Sequence, residues 1–93
     1  MSAYNAVGPV LMAVDASKPI IAVLKKLNPT AEIQPLGAYI RVLVPERCYL
    51  TKKAVEEYTG LPFNLPESLE LIMPSFKGKM NCTFEQIIWS FKE

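Results

Sequence analysis

The residue types that enzymes use for acid–base or nucleophilic chemistry are sparse in this sequence. The 93-residue chain contains no histidine, which removes the commonest general base, the commonest zinc ligand and every serine–histidine or cysteine–histidine pair. Its two cysteines, Cys48 and Cys82, match no metal-binding spacing such as C-x2-C. Hydrolytic or metal-dependent catalysis is therefore not expected, and the sequence predicts no metal site.

The charged groups do not form a reactive set either. Glu56 and Glu57 occupy adjacent positions of a predicted helix, roughly 100° apart around its axis, and do not converge on a substrate. Lys77-Gly78-Lys79 offers two cations to a phosphate, but lysines in a turn are more often simply solvated. The 4 glycines of the chain form no phosphate-binding loop motif. These groups are interpreted as parts of a solvated surface.

The charge balance argues against nucleic-acid binding. The chain has 10 Lys+Arg against 9 Asp+Glu, a formal net charge of +1, which excludes a strongly basic module. Tyr39 and Arg41 alternate on one face of a predicted strand, and single-strand readers use aromatic side chains beside a basic groove. Two such residues are too few, so a nucleic-acid partner is not expected.

The composition predicts a globular protein that does not enter a membrane. Hydrophobic residues make up 51% of the chain, enough to close a core. No apolar run approaches the roughly 18 residues that cross a bilayer, and the first residues do not resemble a signal peptide. We therefore expect a cytoplasmic protein with both thiols reduced, each cysteine acting as a small hydrophobe in or beside a strand.

The first half of the chain predicts a strand, a helix and further strands. Residues 1–6 show no periodicity and are expected to form a flexible arm. Because proline has no N–H donor, the first strand should begin at Pro9 or lie on a sheet edge. Ser17 should cap a helix that ends before Asn28-Pro29. Further strands are predicted at 32–34, 38–44 and 47–50, the second of them central and covered on both sides.

The second half repeats this order. Thr51 is predicted to cap a helix over 52–59 that ends at Gly60, with Ala54, Val55 and Tyr58 facing inward. A linker with two prolines follows at 61–66. We then expect a strand at 68–73, a turn or bulge at 74–78, a short strand from Met80 and a closing strand over 85–91, with Ile87, Trp89 and Phe91 on one face.

Helices that alternate with mainly hairpin-linked strands indicate an α+β fold. The expected architecture is two small β-α-β-β-like units with a mostly antiparallel sheet and two helices. Its 93 residues suit a single domain over 1–93.

Several blocks of the sequence resemble those of one protein family. In chain order they are Asn5–Val10, Ala38–Val42, Leu50–Glu57, Gly60–Asn64, Ser75–Lys79 and Glu85–Ile87. They are similar to the effector proteins, also called coupling or regulatory proteins, of bacterial multicomponent diiron monooxygenases. The resemblance is strongest to the toluene and phenol hydroxylase systems, and methane monooxygenase component B is more distant. Cys82-Thr83-Phe84 departs from the family pattern, which tends to be acidic there.

The resemblance implies a protein without a cofactor that binds the hydroxylase component, where the carboxylate-bridged diiron centre lies. It implies that a separate reductase, with or without a Rieske ferredoxin, supplies electrons, and that this chain regulates O2 activation, substrate access and coupling. Competition with the reductase or ferredoxin for overlapping surface is also expected. The lack of histidine agrees independently with a component that has no active site of its own.

We expect three segments to contact the partner: the N-terminal segment, the turn near Ser75 and the first turn of the second helix. Their residues are Asn5, Val7, Gly8, Pro9, Val10, Lys52, Lys53, Ser75, Phe76, Lys77 and Gly78. Pairs of Lys52 with Glu56 and Lys53 with Glu57 at i,i+4 would present a charged strip, the alternative being neutral surface variation. Purely structural roles are the alternative for two of these features. Gly8-Pro9 would then only shape the start of a strand, and Phe76 would only fill the core. Deletion of residues 2–8 is expected to weaken hydroxylase binding and leave the fold intact.

A second class of function stays open on the sequence alone. A stand-alone α+β regulatory domain that senses a small molecule would have a similar size and composition. A homodimer with a ligand pocket at its interface, and without affinity for an oxygenase, would support that alternative.

Overall fold

A computed structural model describes residues 5–91 of the chain. Its elements are β1 (Ala6–Met12), α1 (Ser17–Leu27), β2 (Glu32–Leu36), β3 (Tyr39–Pro45), β4 (Arg47–Thr51), α2 (Lys52–Thr59), α3 (Glu67–Glu70), β5 (Ser75–Lys77), β6 (Lys79–Cys82) and β7 (Gln86–Ser90). Within these residues the strands form two antiparallel sheets, a four-stranded one ordered β2-β3-β1-β5 and a three-stranded one ordered β4-β7-β6. The predicted α+β class with mainly antiparallel pairing is confirmed.

The two halves are connected more closely than the predicted repeat suggested. The first half supplies β1, α1, β2 and β3, and the second supplies β4, α2, α3, β6 and β7. Strand β5 leaves the second half and pairs with β1, so it belongs to the sheet of the first half. The described residues also contain a third, short helix, α3, that the sequence analysis did not predict.

One continuous hydrophobic core joins the two sheets and the helices. Leu11 and Val42 come from the four-stranded sheet, Leu50 and Trp89 from the three-stranded sheet, and Leu24 from α1, all with no exposed surface. Burial of side chains of this size contributes roughly 1.5–3 kcal/mol each. Since the helices and strands of both sheets place side chains in this cluster, the core fixes the position of one sheet relative to the other.

Helix α1 begins at Ser17, but this residue does not cap it as predicted. The Ser17 hydroxyl instead donates a 2.6 Å hydrogen bond to the carbonyl oxygen of Met12, because Ser17 already lies inside the helix and is buried. The predicted end at Asn28 is confirmed. The Asn28 amide donates to the carbonyls of Leu24 and Tyr49, each at 2.9 Å, and so holds the end of α1 against β4.

Helix α2 has the predicted bounds and the predicted ends. The Thr51 hydroxyl accepts a 3.1 Å hydrogen bond from the backbone N–H of Ala54, and Gly60 ends the helix in the left-handed region with φ 74°. Val55 is buried as expected. Tyr58 was predicted to face inward and does not, since its side chain is 59% exposed. The apolar face of this short helix is therefore narrower than its sequence indicated.

The prediction of a strand over 68–73 is wrong. Residues Glu67–Glu70 form α3, in which the N–H groups of Ser68 and Glu70 donate to the carbonyls of Asn64 and Pro66 at 2.8 and 2.9 Å. Leu69 within this helix is buried, and so are Ile72 and Met73 after it. Their spacing of three and four residues is typical of helical turns rather than of a strand, where alternate residues face one side.

The turn or bulge predicted over 74–78 is also wrong for most of that segment. Residues Ser75–Lys77 form β5, an edge strand three residues long, and the chain then turns at Gly78. A strand this short carries no periodicity that could reveal it in the sequence. Its pairing with β1 joins distant parts of the chain and depends on the tertiary fold.

Strand β1 begins earlier than predicted and is not an edge. It starts at Ala6 and lies between β3 and β5, so the strand neither begins at Pro9 nor lies on a sheet edge. The β1–β3 register has no partners at Gly8 and Pro9, which interrupts the ladder where proline lacks a donor. Residue 6 therefore lies in the strand, and residues 1–4 of the predicted arm lie outside the described part of the chain.

The buried start of β1 corrects one further expectation. Ala6 and Val7 are buried, and Val7 belongs to the core cluster. Deletion of residues 2–8 would remove part of an interior strand, so it is now expected to destabilise the fold rather than leave it intact.

The remaining strands agree with the prediction to within two residues, with differences in exposure. Strand β3 is central as predicted, between β2 and β1. It is not covered on both sides along its whole length, since Tyr39 is 44% exposed. In the last strand Ile87 and Trp89 share one face as predicted, and this face is buried, but Phe91 follows the strand and is exposed.

Candidate partner-binding surface

Two of the three predicted contact segments lie side by side. In the β1–β5 pair, Gly8 lies opposite Lys77, Pro9 opposite Phe76 and Val10 opposite Ser75. The N-terminal segment and the segment near Ser75 are far apart in sequence, and the sheet brings them together. The structure therefore turns two separate predictions into one surface, which we call the β1–β5 junction (Asn5–Val10 and Ser75–Gly78).

The two glycines of the junction have a packing role. A Cβ on Gly8, at φ 148°, would overlap the carbonyl oxygen of Val42 in the neighbouring strand. A Cβ on Gly78, at φ 105°, would lie 2.7 Å from the Val7 side chain and 3.0 Å from the Ser90 carbonyl oxygen. Real Cβ atoms do not tolerate such distances, and L side chains rarely adopt these φ values. Both glycines thus allow backbones to approach closely, whether or not a partner touches them.

The side chains of the junction divide into buried and accessible ones. Val7 and Pro9 are fully buried, so they shape the strand and offer no surface to a partner. Val10 is half-buried, Ser75 and Lys77 are exposed, and Phe76 is 40% exposed. The alternative that Phe76 fills the core therefore does not hold. The accessible part of this surface is Val10 together with β5.

Asn5 is engaged with another loop of the protein. Its side-chain amide donates to the carboxylate of Glu46, and its carbonyl accepts a 2.8 Å bond from the Glu46 backbone N–H. Glu46 has a positive φ of 69° in the short connection between β3 and β4. Asn5 therefore holds this connection in place and is half-buried.

The third predicted segment, the first turn of α2, has one lysine engaged within the protein and one exposed. Lys52 Nζ donates a 2.8 Å hydrogen bond to the carbonyl of Phe63 and lies 3.1 Å from Glu56 Oε2. The same oxygen of Glu56 accepts a 2.9 Å bond from the Phe63 N–H. Lys52 and Glu56 thus fasten the loop after α2 to the helix. In the part of the chain that the structure describes, the expected pair of Lys53 with Glu57 does not form.

The electrostatics of Glu56 follow from these contacts. The hydrogen bond from the Phe63 backbone and then the hydrogen bond from Lys52 hold the pKa of the Glu56 carboxyl below its ordinary value of 4.5. The carboxylate is therefore ionised at neutral pH, as the ion pair requires. The charged strip that could be offered to a partner is reduced to Lys53 and Glu57, the exposed members of the two predicted pairs.

Neither cysteine is suited to act as a nucleophile. Cys48 in β4 is free and buried, and burial raises the pKa of its thiol to about 12. Cys82 in β6 is free and half-buried, and burial, with Glu70 and Glu67 nearby, raises its pKa as well. Thiols with raised pKa values stay protonated at neutral pH and react slowly. Both occupy strands as small, largely apolar residues, as predicted.

The described residues contain no cluster of three or more His, Cys, Asp or Glu side chains that could hold a metal ion. Within the same range no helix is long and apolar enough to cross a membrane.

The outer face of the four-stranded sheet, which the sequence analysis did not assign to a partner, adjoins the junction. Directly opposite residues of antiparallel strands share a face, so Val10 lies in one row with Arg41, Gln34 and Ser75. The neighbouring row contains Met12, Tyr39 and Leu36. The alternation of Tyr39 and Arg41 in the sequence was the available signal for this face.

A comparison with protein families decides the classification. The model of the MmoB/DmpM family matches residues 5–90 of the chain. The chain belongs to the MmoB/DmpM family. This result confirms the resemblance found in the sequence blocks.

Among curated proteins, this family member is 33% identical over 90 residues to the effector subunit of the alkene monooxygenase system of Xanthobacter autotrophicus (strain ATCC BAA-1158 / Py2). The alignment covers 95% of this chain and 88% of that protein.

Solved structures show the same fold for this MmoB/DmpM protein. A chain in a structure of the phenol hydroxylase–regulatory protein complex matches with a TM-score of 0.81 at 25% identity, covering 91% of this chain and 98% of that one. Another chain of such a complex matches with a TM-score of 0.83 at 22% identity, covering 91% and 95%. The soluble methane monooxygenase regulatory protein B matches with a TM-score of 0.71 at 15% identity, covering 99% and 68%.

Proposed function

We propose that this MmoB/DmpM protein is a non-catalytic effector that binds the diiron hydroxylase component of a multicomponent monooxygenase in the cytoplasm. The alkene monooxygenase relative is named an effector subunit, and similar chains occur in structures of the phenol hydroxylase–regulatory protein complex. The raised thiol pKa values and the lack of histidine support a role without chemistry of its own.

The observation that carries the proposal for this chain is the β1–β5 junction. Two segments predicted to contact the partner form one surface, on which Val10, Ser75, Phe76 and Lys77 are accessible. Lys53 is a further contact in this proposal, on the first turn of α2. The remaining predicted residues position these accessible side chains; they are Asn5, Val7, Gly8, Pro9, Lys52 and Gly78.

A protein without reactive groups changes the rate of its partner by binding one state of that partner more tightly than another. A rate effect of one to two decades requires roughly 1.4–2.8 kcal/mol of differential binding, which one modest interface supplies. In this proposal, docking favours the hydroxylase state in which O2 activation, substrate access and substrate oxidation are coupled. The effector would also control when electrons are delivered, because its docking surface on the hydroxylase would overlap the surface that the reductase or ferredoxin uses.

A titration of the hydroxylase tests the proposal. The diiron hydroxylase and reductase of the organism that encodes this chain would be purified, and product formed per electron pair would be measured as effector is added. We expect a saturable increase in the product yield and direct binding of the two proteins. A chain that never binds the hydroxylase, or that turns over a substrate by itself, would contradict the proposal.

A further inference from the structure

The outer face of the four-stranded sheet is not used by the protein's own core. Its residues on the two central rows are Met12, Tyr39, Leu36, Val10, Arg41 and Gln34. None of them belongs to the core cluster or packs against it. The core lies on the opposite face, to which Leu11 and Val42 contribute. Within the described residues 5–91, this face therefore lies outside the core cluster.

One row of this face is apolar and accessible. Met12 lies directly opposite Tyr39, and Tyr39 lies directly opposite Leu36 across three adjacent strands. Their side chains are 39%, 44% and 47% exposed. Single exposed apolar side chains are common on protein surfaces, but contiguous rows of them mark interaction sites. The row ends beside the β2–β3 turn at Gly37.

The second row places a cation at the centre of the face. Arg41 lies on a central strand between Val10 and Gln34. Its side chain forms no ion pair or hydrogen bond with any residue of the described range 5–91, and its Nε is buried without a partner. Glu32, two residues before Gln34 on β2, accepts a 3.0 Å hydrogen bond from Gln34. The guanidinium is thus held on the sheet without an acceptor of its own.

We propose that the hydroxylase docks on this outer face, with an acidic or carbonyl group of the hydroxylase accepting hydrogen bonds from Arg41 and apolar hydroxylase side chains covering the row of Met12, Tyr39 and Leu36. The inference rests on the proposed function and specifies its surface. Tyrosine, methionine and arginine are the residue types enriched in the cores of protein interfaces. The face also continues onto the accessible junction residues Val10 and Ser75.

Charge disfavours a second copy of this chain as the occupant of the face. In a two-fold symmetric dimer the same patch meets itself, so a central Arg41 would approach the Arg41 of the other copy. Like charges brought together at an interface strongly disfavour association. A partner with an acidic group at the centre of its patch avoids this cost and satisfies the guanidinium.

The test measures the dissociation constant of the hydroxylase for four effectors: the unchanged protein, Arg41→Gln, Arg41→Glu and Lys26→Glu. Arg41→Gln keeps much of the side-chain stem and removes the charge. Lys26→Glu is the matched control, because it makes the same change in charge on an exposed position of α1, a helix whose buried residues pack in the core. Circular dichroism and the thermal midpoint establish that each variant is folded.

We expect Arg41→Gln to weaken binding about fivefold and Arg41→Glu by about tenfold or more, as for the loss of a central interface arginine. Lys26→Glu should stay within about twofold of the unchanged protein. If the unchanged protein binds and folded Arg41→Glu binds equally well, the outer face is not the docking surface, although the proposed function stands. If the unchanged protein does not bind at all, the proposed function itself fails.

Two further measurements keep the result decisive. If Arg41→Glu does not fold, Tyr39→Ser replaces it. Tyr39 is exposed, so its loss removes apolar contact area without burying a charge. Unchanged binding by this variant contradicts the proposal. Sedimentation of the free protein shows whether a second copy covers the face. A stable dimer that Tyr39→Ser dissociates would overturn the assignment to the hydroxylase.

Discussion

The β1–β5 junction and the first turn of α2 were both predicted to contact a partner, and the structure engages their residues in different ways. At the junction, Gly8 and Gly78 let backbones and core side chains approach one another, while Val10 and Ser75 face outward. At α2 the contact is made by a long side chain instead, since Lys52 donates a hydrogen bond to the Phe63 carbonyl. The first region is fixed by close packing and the second by polar contacts at the surface.

This difference separates residues that build a surface from residues that can form an interface. A motif residue can be required because the fold needs it, as Gly8 and Lys52 are, without touching a partner. The accessible side chains beside them are then the ones available for binding. Stability measurements on the first group and binding measurements on the second test this division.

The largest effect is expected at Gly8. Gly8→Ala places a Cβ against the Val42 carbonyl at a φ that L residues rarely adopt, so we expect a loss of about 3 kcal/mol or more in unfolding free energy. Gly37→Ala is the control, because Gly37 also has positive φ, 74°, but open space around it. Its cost should be about 1–2 kcal/mol. Urea unfolding followed by circular dichroism measures both, and equal costs would contradict close packing at the junction.

A smaller effect is expected at α2. Lys52→Met removes the hydrogen bond to the Phe63 carbonyl and should lower the unfolding free energy by about 1 kcal/mol. Lys53→Met, on the adjacent exposed position, should change it by less than about 0.5 kcal/mol. The two variants are compared in the same urea titration. Equal stability of both would show that Lys52 does not fasten the loop.

The smallest effect is a pH dependence at Glu56. Its pKa in the folded protein lies below the ordinary 4.5, so its contribution to stability is fully present above that value and is lost as the pH falls through the folded-state pKa. The thermal midpoint of the unchanged protein should therefore exceed that of Glu56→Gln by more at about pH 6 than at about pH 3. A difference that is the same at both pH values would contradict the role of the ionised carboxylate.

Local signals in the sequence predicted the helices best. The start and end of α2 follow from Thr51 and Gly60, whose contacts lie within one helical turn. The short helix α3 was missed because its buried Leu69 was assigned to a strand, although Leu69, Ile72 and Met73 have helical spacing.

Pairing between distant segments could not be predicted. Strand β5 exists because it lies against β1, and no periodicity within three residues indicates that contact. The candidate surface was partly accessible to sequence reasoning, since the predicted segments do meet at the junction. For the outer face the sequence offered only the alternation of Tyr39 and Arg41, because the register is needed to show that Met12 and Leu36 share a row with Tyr39.

Binding to the hydroxylase tests the central claim most directly. The measurement is the affinity of this chain for the purified diiron hydroxylase together with the product formed per electron pair at increasing effector concentration. The account predicts saturable binding and a product yield that rises with the bound fraction to a plateau. A product yield that stays constant while the hydroxylase becomes fully bound, or the absence of binding, would contradict it.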